Sequence, residues 1–394
     1  MDRHGPRALA PRSCRGHPVV LHAPTMLPGP IALDATLWDE PTTGIGLYTR
    51  CLYEALLRRG IELHRLGARR SGELPRRLAS RTAYLLAELP SALARSPARL
   101  FHGLSNFNLP LTRVPGKRMV LTVHDLIPDL FPETVSTGFR WQFRLWLFRS
   151  LQVADRIICV SATTRDDLLR RFEVDPERVS VVHNGVDHVD RVAPVDRTGL
   201  AWLESLGLPE RYVLYAGSLD ARKNVTLVLD AFVRLWRDGK RTTLVLAGQN
   251  WFGSGPVEKR VALLRAEGLD VRPLGYLAEP LFYEVMRRAS VFAFPSRYEG
   301  FGLPPLEAMR LGVPSIVANT GSLPEVCGDA ALYVSPDDAD ALARTIWRIL
   351  GSEEERQQLS AKGRAHASVF TWDRAAYQTV DVYRSALEGD RLRS

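Results

Sequence analysis

Short apolar runs, many of them rich in β-branched residues, alternate with amphipathic helical patterns along most of this sequence. Continuous apolar runs are typical of parallel strands buried on both faces, and consecutive parallel strands need a crossover segment, usually a helix, between them. Residues 48–60 illustrate such a helix, because Tyr48, Leu52 and Leu56 share one helical face. The alternation therefore predicts an α/β fold built from doubly wound parallel sheets.

The predicted strands form two series, separated by a polar segment of weak periodicity at residues 187–200. The first series contains residues 31–35, 119–125, 156–161 and 179–185, and the second contains residues 212–217, 242–248, 271–275, 291–296 and 314–319. Since 394 residues suffice for two domains, we expect two Rossmann-like domains facing a cleft. We place them at residues 26–190 and 191–370.

Both ends of the chain differ from these domains. Residues 1–25 contain arginine and proline but no continuous apolar core of the length that a secretory signal requires, so we predict a disordered N-terminal extension. Residues 371–394 begin with an amphipathic pattern, for which we predict a C-terminal helix. An ordinary core helix would show the same pattern.

Composition excludes several classes of protein. No apolar run reaches the roughly 18 residues of a membrane-spanning helix. The scattered cysteines show no C-x-x-C spacing, which favours reduced thiols in the cytoplasm over a disulfide frame or a zinc site: Cys14, Cys51, Cys159 and Cys327. The net charge of +8 permits binding to anions. Because no nucleic-acid-reading motif accompanies this charge, we expect no nucleic acid partner.

Residues 299–307, EGFGLPPLE, follow a predicted strand and place two acids around glycine and proline. Pro304 and Pro305 suit the first turn of a helix, with Glu307 inside that turn. The backbone amides of Phe301, Gly302 and Leu303 could then bind an anion or sugar hydroxyls, with both acids accepting from hydroxyls. Alternatively, Glu307 only complements the helix dipole, and Glu299 is a solvated acid.

Residues 215–224, YAGSLDARKN, run from a strand through Gly217 and Ser218 to two adjacent cations. At the carboxyl end of a strand, Arg222 could bind a diphosphate through a fork of hydrogen bonds and Lys223 as a point charge. An exposed helix start with two solvated cations would show the same sequence.

Two further segments suggest contacts to a ligand. His124 ends a strand that should be buried on both faces, where it could donate to a sugar hydroxyl or stabilise developing charge. A hydrogen-bonded core histidine is the alternative. Gly44 and Gly46 precede the helical pattern at residues 48–60 and permit close approach of phosphate, although this pair does not match the dinucleotide fingerprint.

Residues 138–151, GFRWQFRLWLFRSL, spread aromatic side chains among arginines around most of a helical wheel. Together with the basic segment 65–99, this helix could dock on an anionic membrane surface and bring a lipid-linked acceptor to the cleft. The alternative is a buried interdomain or dimer helix with snorkelling arginines.

Taken together, these segments resemble the retaining glycosyltransferases of family 4, and within them the bacterial mannosyltransferase B-like branch associated with O-antigen and other surface polysaccharides. The resemblance spans residues 31–388 and rests on many segments in order: IALDA, GIGLYTR, VLTVHDLIPDLFPET, ADRIICVSATTRDDL, VVHNGVD, YAGSLDARKN, SRYEGFGLPPLEAM and SLPEVCGDAALYVSPDD. It implies the GT-B fold, with an acceptor-side domain at 26–190, a nucleotide-sugar domain at 191–370, and a final helix that crosses back to the first domain.

The resemblance also implies roles for residues. Glu307 would hold the nucleotide ribose, while Glu299 and the amides of residues 301–303 would hold the transferred sugar. Arg222 and Lys223 would neutralise the diphosphate, and His124 would lie beside the reacting carbon. Ser218 departs from the family, in which many members have arginine at this position, so the role of Arg222 is less secure than that of Lys223.

The reaction implied is a retaining transfer of a hexose, mannose from GDP-mannose, to a saccharide or lipid-linked saccharide acceptor, with neither a cofactor nor a metal. We place it in the cytoplasm, with peripheral contact to the inner membrane. The alternatives are a UDP-sugar-dependent glycosyltransferase, a sugar-nucleotide 2-epimerase of the same fold and a non-catalytic sugar-nucleotide-binding protein. The sequence leaves the donor base, the acceptor and the oligomeric state open.

Overall fold

A computed structural model describes residues 27–38, 43–67, 83–248 and 255–388. Within these ranges lie two six-stranded parallel sheets. The first has the order β2-β1-β3-β4-β5-β6, and the second β12-β11-β10-β7-β8-β9. This architecture confirms the predicted α/β fold with two doubly wound sheets. The predicted N-terminal extension lies outside the described residues.

The strands of the first sheet are β1 (Ile31–Asp34), β2 (Leu63–Leu66), β3 (Leu100–Gly103), β4 (Arg118–Val123), β5 (Arg156–Cys159) and β6 (Val179–Val181). Those of the second sheet are β7 (Tyr212–Ala216), β8 (Thr243–Ala247), β9 (Val271–Gly275), β10 (Val291–Phe294), β11 (Ser315–Ala318) and β12 (Leu332–Val334).

The helices that accompany the first sheet are α1 (Gly44–Arg58), α2 (Leu89–Arg95, after a π-helical turn at Tyr84–Glu88), α3 (Ile127–Leu130), α4 (Thr137–Val153) and α5 (Ala162–Arg171). The later helices are α6 (Arg197–Ser205), α7 (Val225–Arg237), α8 (Gly255–Ala266), α9 (Glu279–Arg288), α10 (Leu303–Arg310), α11 (Leu323–Cys327), α12 (Ala339–Gly351), α13 (Glu353–Ala367) and α14 (Trp372–Glu388).

Each sheet is covered on both faces, as its apolar strands require. Helices α7 and α12 pack against each other over one face of the second sheet, and α10 and α13 are packed together as well. Every residue of β7, β8 and β10 is buried. We call β1–β6 with α1–α5 and α14 the first domain, and β7–β12 with α6–α13 the second domain.

The sequence pattern missed β2, β3 and β12. Strand β2 is a half-buried edge strand with two basic side chains, and β12 has only three residues. Strand β3 contains His102, whose burial is possible because its ring nitrogens contact the hydroxyls of Tyr383 and Thr122 at 2.8 and 2.7 Å. Strand β6 is shorter than predicted, because the chain leaves the sheet after Val181.

The chain crosses between the domains twice, at residues 182–196 and 368–371. The two crossings touch, because the Val186 amide donates to the Phe370 carbonyl at 2.9 Å and the Trp372 amide donates to the Asp187 carboxylate at 2.7 Å. Helix α14 then packs on α1, β4 and β5 of the first domain. The domain limits at 190 and 370 stay predictions.

None of the helices in the described part of the chain is both long enough and apolar enough to span a bilayer.

Candidate active site

Loops from the carboxyl ends of the two sheets meet at the candidate site, where ligands bind in doubly wound folds. The loop 299–302 reaches from the second domain to the first. The carbonyl oxygen of Gly300 accepts from the hydroxyls of Ser161 and Thr164, at 2.5 and 3.1 Å. A Cβ atom on Gly300 would lie 1.9 Å from the carbonyl oxygen of His124. Glycine is therefore required for the two domains to meet here.

His124 is buried at the end of β4, and its ring is fixed by its neighbours. Its Nε2 lies 2.8 Å from the carbonyl oxygen of Leu104, and its edge-on contact with the Tyr48 ring has a centroid distance of 4.7 Å. Because a carbonyl only accepts, Nε2 carries the proton and Nδ1 the lone pair. Burial lowers the pKa of His124 to about 4, so the ring is neutral at pH 7. The prediction that His124 donates to a sugar hydroxyl is therefore corrected: the Nδ1 of a neutral ring can only accept.

Glu299 is paired with both predicted diphosphate cations. Its Oε1 lies 2.8 Å from Lys223 Nζ and 3.0 Å from Arg222 Nη1, and it accepts from the Ser296 hydroxyl at 2.6 Å. Burial acts to raise the pKa of Glu299, but the two cations outweigh it and hold the pKa below its usual range. Burial also lowers the pKa of Lys223, against the attraction of Glu299. This arrangement is a buried ion cluster, which corrects the alternative of solvated charges.

Arg222 and Ser218 are held within the loop after β7, which begins at Gly217. Arg222 Nη1 donates to the Tyr298 carbonyl at 2.6 Å, and the Ser218 hydroxyl donates to Asp220 at 2.6 Å. The other Asp220 oxygen accepts from the Lys223 amide at 3.0 Å. Asp220 thus organises the loop that presents both cations. Sequence reasoning missed it, although an acid three residues before Lys223 is typical of a cap.

Helix α10 begins directly after the glycine-rich loop. Gly302 has a φ of 101°, a left-handed conformation that glycine adopts readily. Within the described residues, the backbone N–H groups of Phe301, Gly302 and Leu303 donate to no acceptor. They remain available to an anion or hydroxyl at the helix N-terminus. The side chain of Phe301 instead packs in the core of the second domain.

Glu307 lies in the second turn of α10, not in the first turn as predicted, because the helix begins at Leu303. The carboxylate is buried. Its Oε1 lies 3.1 Å from His188 Nε2 and accepts from the Tyr283 hydroxyl at 3.3 Å. The sequence pattern did not indicate His188 or Tyr283 as site residues, because only the fold brings their segments close to Glu307.

Gly44 and Gly46 form the first turn of α1 instead of preceding the helix. The Gly46 amide donates to its N-cap, the Thr43 hydroxyl, at 3.0 Å, so that amide is already bonded. Gly44 is exposed, and a Cβ atom there would have no neighbour within 4 Å among the described residues. This part of the structure therefore leaves Gly44 open to a ligand and does not require glycine at this position.

A second contact joins the domains beside the candidate site. The Glu325 carboxylate of α11 accepts from the backbone amides of Ala162 and Thr163, at 2.7 and 3.0 Å, at the start of α5. His183 Nε2 lies 2.8 Å from the same carboxylate. Burial acts to raise the pKa of Glu325, but His183 and the two amides hold it below its usual range. An acid of the second domain thus caps a helix of the first.

The structure brings together His124, the Glu299 cluster and the open amides of residues 301–303. Asp125 is a further acid of this group. Burial raises the pKa of Asp125, although the charges of Arg222 and Lys223 act to lower it. Glu307 lies further along α10, next to the first interdomain crossing. Among the described residues, no group of three or more histidine, cysteine or acidic side chains has the arrangement of a metal site.

Helix α4 divides its aromatic side chains between core and surface. Phe143 and Trp146 are buried in the first domain. Trp141, Leu145 and Phe148 form an exposed stripe on one helical face, with exposed fractions of 67%, 58% and 46%. The aromatic side chains that are spread around this helix thus form one buried face and one exposed face.

Comparison with known families covers both domains. Residues 42–190 match the family described as Glycosyltransferase Family 4, and residues 202–366 match Glycosyl transferases group 1.

Relatives of known name match over most of the chain. O-antigen chain mannosyltransferase B of Escherichia coli is 32% identical over 72% of this chain and 74% of its own length. MMP alpha-(1->4)-mannosyltransferase of Mycolicibacterium hassiacum is 33% identical over 69% of this chain and 66% of its own. Among solved structures, sucrose-phosphate synthase of Thermosynechococcus elongatus has a TM-score of 0.70 and 24% identity, over 91% of this chain and 99% of that one.

Proposed function

Because the chain belongs to the family 4 glycosyltransferases and has their GT-B fold, we propose that it transfers mannose from GDP-mannose to a saccharide or lipid-linked saccharide acceptor in bacterial surface polysaccharide synthesis. The observation that carries a sugar-nucleotide donor is the buried Lys223–Glu299–Arg222 cluster beside the open amides of residues 301–303. The choice of mannose rests on the names of two relatives.

In the proposed reaction, the donor diphosphate lies between the cations and the start of α10. Lys223 and the α10 amides stabilise the negative charge that develops on the leaving diphosphate. Arg222 has its Nη1 engaged by Glu299 and the Tyr298 carbonyl, so its main role is to orient Glu299. Glu299 binds hydroxyls of the transferred sugar, and Glu307 binds the ribose.

The proposed transfer is retaining. The acceptor hydroxyl attacks the anomeric carbon on the face from which the diphosphate departs, and a diphosphate oxygen takes its proton. The glycosidic oxygen of the donor leaves with the nucleotide. Glu299 forms no covalent bond in this scheme, which agrees with its pairing to two cations. The proposed reaction uses no small molecule besides the donor and the acceptor, and therefore no metal ion. We accordingly expect full activity in excess EDTA.

The first test is calorimetric titration of the purified protein with GDP, UDP and ADP. Tighter binding of GDP supports the proposal, whereas tighter binding of UDP would indicate that the donor is a UDP-sugar. Incubation with GDP-mannose then follows, with and without a mannose-terminated oligosaccharide. An acceptor extended by one hexose with the donor's anomeric configuration is expected. If the sugar nucleotide is altered in the incubation without acceptor, the result would favour an epimerase. If GDP-mannose is bound but not converted, it would favour a non-catalytic protein.

We also propose that the exposed stripe Trp141, Leu145 and Phe148 docks on the inner membrane, next to a lipid-linked acceptor. Arg140 and Arg144 directly precede Trp141 and Leu145 in α4. Together with Arg171 of α5, they surround the buried carboxylate of Asp129 at 4.0, 3.3 and 2.9 Å. This group has excess positive charge, which suits anionic lipid.

Sedimentation with phosphatidylglycerol vesicles tests the docking. We expect salt-sensitive binding that is lost when Trp141, Leu145 and Phe148 all become serine. Trp146 is excluded from this set because it is buried. The matched control is Leu263→Ser, which replaces a side chain that is 63% exposed on α8 of the second domain. Equal sedimentation of the triple variant and the control would contradict the docking.

A further inference from the structure

A buried chain of hydrogen bonds links the crossover helix α14 to the predicted ribose-binding acid. It runs from Trp372 at the start of α14 through His188, which lies in the first interdomain crossing, to Glu307 in α10. Trp372 is fully buried, and His188 and Glu307 are 6% and 4% exposed. These contacts join α14, the first interdomain crossing and α10 in one buried network.

The indole fixes the tautomer of His188. Trp372 Nε1 lies 3.2 Å from His188 Nδ1. An indole nitrogen only donates, so Nδ1 must carry the lone pair, and in the neutral ring the proton is on Nε2. The indole thereby places the ring proton of His188 on Nε2, the nitrogen that lies next to Glu307.

That proton lies between Glu307 and Tyr283. His188 Nε2 lies 3.1 Å from Glu307 Oε1 and 3.0 Å from the Tyr283 hydroxyl oxygen, and the Tyr283 hydroxyl itself donates to the same Oε1 at 3.3 Å. Burial and the neighbouring carboxylate raise the pKa of Tyr283, so the phenol keeps its proton. The Nε2 proton is therefore shared between the Tyr283 oxygen and Glu307 Oε1, and the Tyr283 proton is directed at the same Oε1, so that His188 holds this oxygen both directly and through Tyr283.

The second oxygen, Oε2, accepts no hydrogen bond from any side chain or amide in the described part of the chain. With Oε1 held on two sides, rotation of the carboxylate would break both bonds. The orientation of Oε2 is thus set before a ligand arrives, which lowers the entropy lost on binding.

We propose that His188 is a positioning residue that, with its tautomer set by Trp372, holds Glu307 so that Oε2 accepts from a hydroxyl of the nucleotide ribose. This inference rests on the proposed function, because it takes a nucleoside diphosphate as the ligand. It adds that the residues at both interdomain crossings contribute to nucleotide recognition.

The test compares binding of GDP and 2′,3′-dideoxy-GDP by calorimetry. A charge-assisted hydrogen bond to the ribose predicts that the wild-type protein prefers GDP by roughly 10-fold or more. His188→Asn retains an acceptor near the Nδ1 position but has no donor toward Glu307. We expect it to lose most of this preference, about 5-fold or more, while the affinity for dideoxy-GDP stays within about 2-fold.

Two variants separate positioning from simple packing. His188→Gln places an amide donor near the Nε2 position and should retain most of the preference for GDP. Trp372→Phe keeps a buried aromatic ring but removes the indole proton, so we expect an approximately 3-fold loss of preference. In this variant, ¹⁵N shifts of the His188 ring should show the fixed Nε2–H tautomer being lost. His64→Asn, at the edge strand β2, is the control and should change neither affinity.

The outcomes distinguish this inference from the function on which it rests. A wild-type protein that binds neither nucleotide would overturn the proposed function and the inference together. A wild-type preference for GDP that His188→Asn and Trp372→Phe retain would overturn the inference alone. Equal weakening of GDP and dideoxy-GDP in the variants would show a structural role and also overturn it. If His188→Asn does not fold, Trp372→Phe and the ¹⁵N shifts decide the question.

Discussion

At the scale of single residues, the neutral state of His124 restricts what this side chain can do. Its Nε2 proton is used by the Leu104 carbonyl, and its pKa of about 4 means that it has no second proton at pH 7. His124 is therefore suited to accept from a hydroxyl of the bound sugar. Its proposed contribution is orientation of the reacting carbon, not proton donation.

We predict that His124→Ala lowers kcat by roughly 100-fold, because a misplaced sugar reacts slowly, while the Kd for GDP changes by less than about 3-fold. Glu307→Ala is the matched comparison and should mainly weaken GDP binding. Steady-state kinetics and calorimetry measure the two effects. A loss of GDP affinity in His124→Ala as large as its loss of kcat would contradict the assignment.

Gly300 supports a second prediction at this scale. An added Cβ atom would overlap the His124 carbonyl oxygen at 1.9 Å and approach the Asp125 Cβ to 2.9 Å, and the first of these is backbone that cannot rotate away. We expect Gly300→Ala to separate the loop from the first domain and to lower kcat/KM by roughly 100-fold.

The control for Gly300→Ala is Gly255→Ala at the start of α8, where a Cβ atom would have no neighbour within 4 Å in the part of the chain that the structure describes. Circular dichroism should show both variants folded. Activity of Gly300→Ala equal to that of the control would mean that the close contact is not part of the active conformation.

At the scale of elements, the N-termini of two helices serve different purposes. The first amides of α10 have no acceptor among the described residues, whereas those of α5 are bonded to Glu325 from the other domain. A carboxylate is favourable at a helix N-terminus, because the unpaired amides and the helix dipole both attract it. Helix α5 and its cap therefore act as a docking contact between the domains.

We predict that Glu325→Gln weakens this contact, because the amide has one acceptor oxygen and no charge, with a loss of about 1–2 kcal/mol in the free energy of unfolding. Hydrogen exchange of the Ala162 and Thr163 amides should become faster. Glu354→Gln, in the exposed first turn of α13, is the control. Unchanged exchange at the start of α5 would show that Glu325 does not hold the domains together.

Elements also show how far sequence reasoning reaches. Strands β4, β7, β8 and β10 were predictable because burial on both faces demands apolar runs. Strand β3 was not, since the burial of His102 depends on Tyr383, which is 281 positions away in the sequence. In the candidate site, Lys223 and Glu299 stood out as charges next to strand ends. His188 and Glu325 did not, because their partners come from segments that only the fold brings near.

At the scale of the whole molecule, two buried histidines make stability depend on pH. Burial lowers the pKa of His102 to about 3 and that of His124 to about 4, compared with roughly 6.5 in an unfolded chain. Below pH 6.5 the unfolded chain therefore binds more protons than the folded one. The contribution of these neutral histidines to the free energy of unfolding is fully present above pH 6.5 and is lost as the pH falls toward 4.

We predict that the free energy of unfolding decreases between pH 6.5 and 4, with a slope of up to about 1.4 kcal/mol per pH unit for each histidine. Urea denaturation at several pH values measures this slope. His102→Gln should reduce the slope, because one of the two protons is no longer taken up, even if the variant is less stable at pH 7. An identical slope in this variant would remove His102 from the explanation.

The contact between the two crossings has a consequence for how such proteins diversify. Since Val186 and Phe370 are hydrogen-bonded neighbours, the chain enters and leaves the second domain at one place, and residues 187–371 are in effect an insertion into the first domain. An inserted unit with adjacent ends can be exchanged for that of a relative without rerouting the host. Under the proposed function, we expect an exchanged unit to bring its own donor preference and the host to keep its acceptor preference.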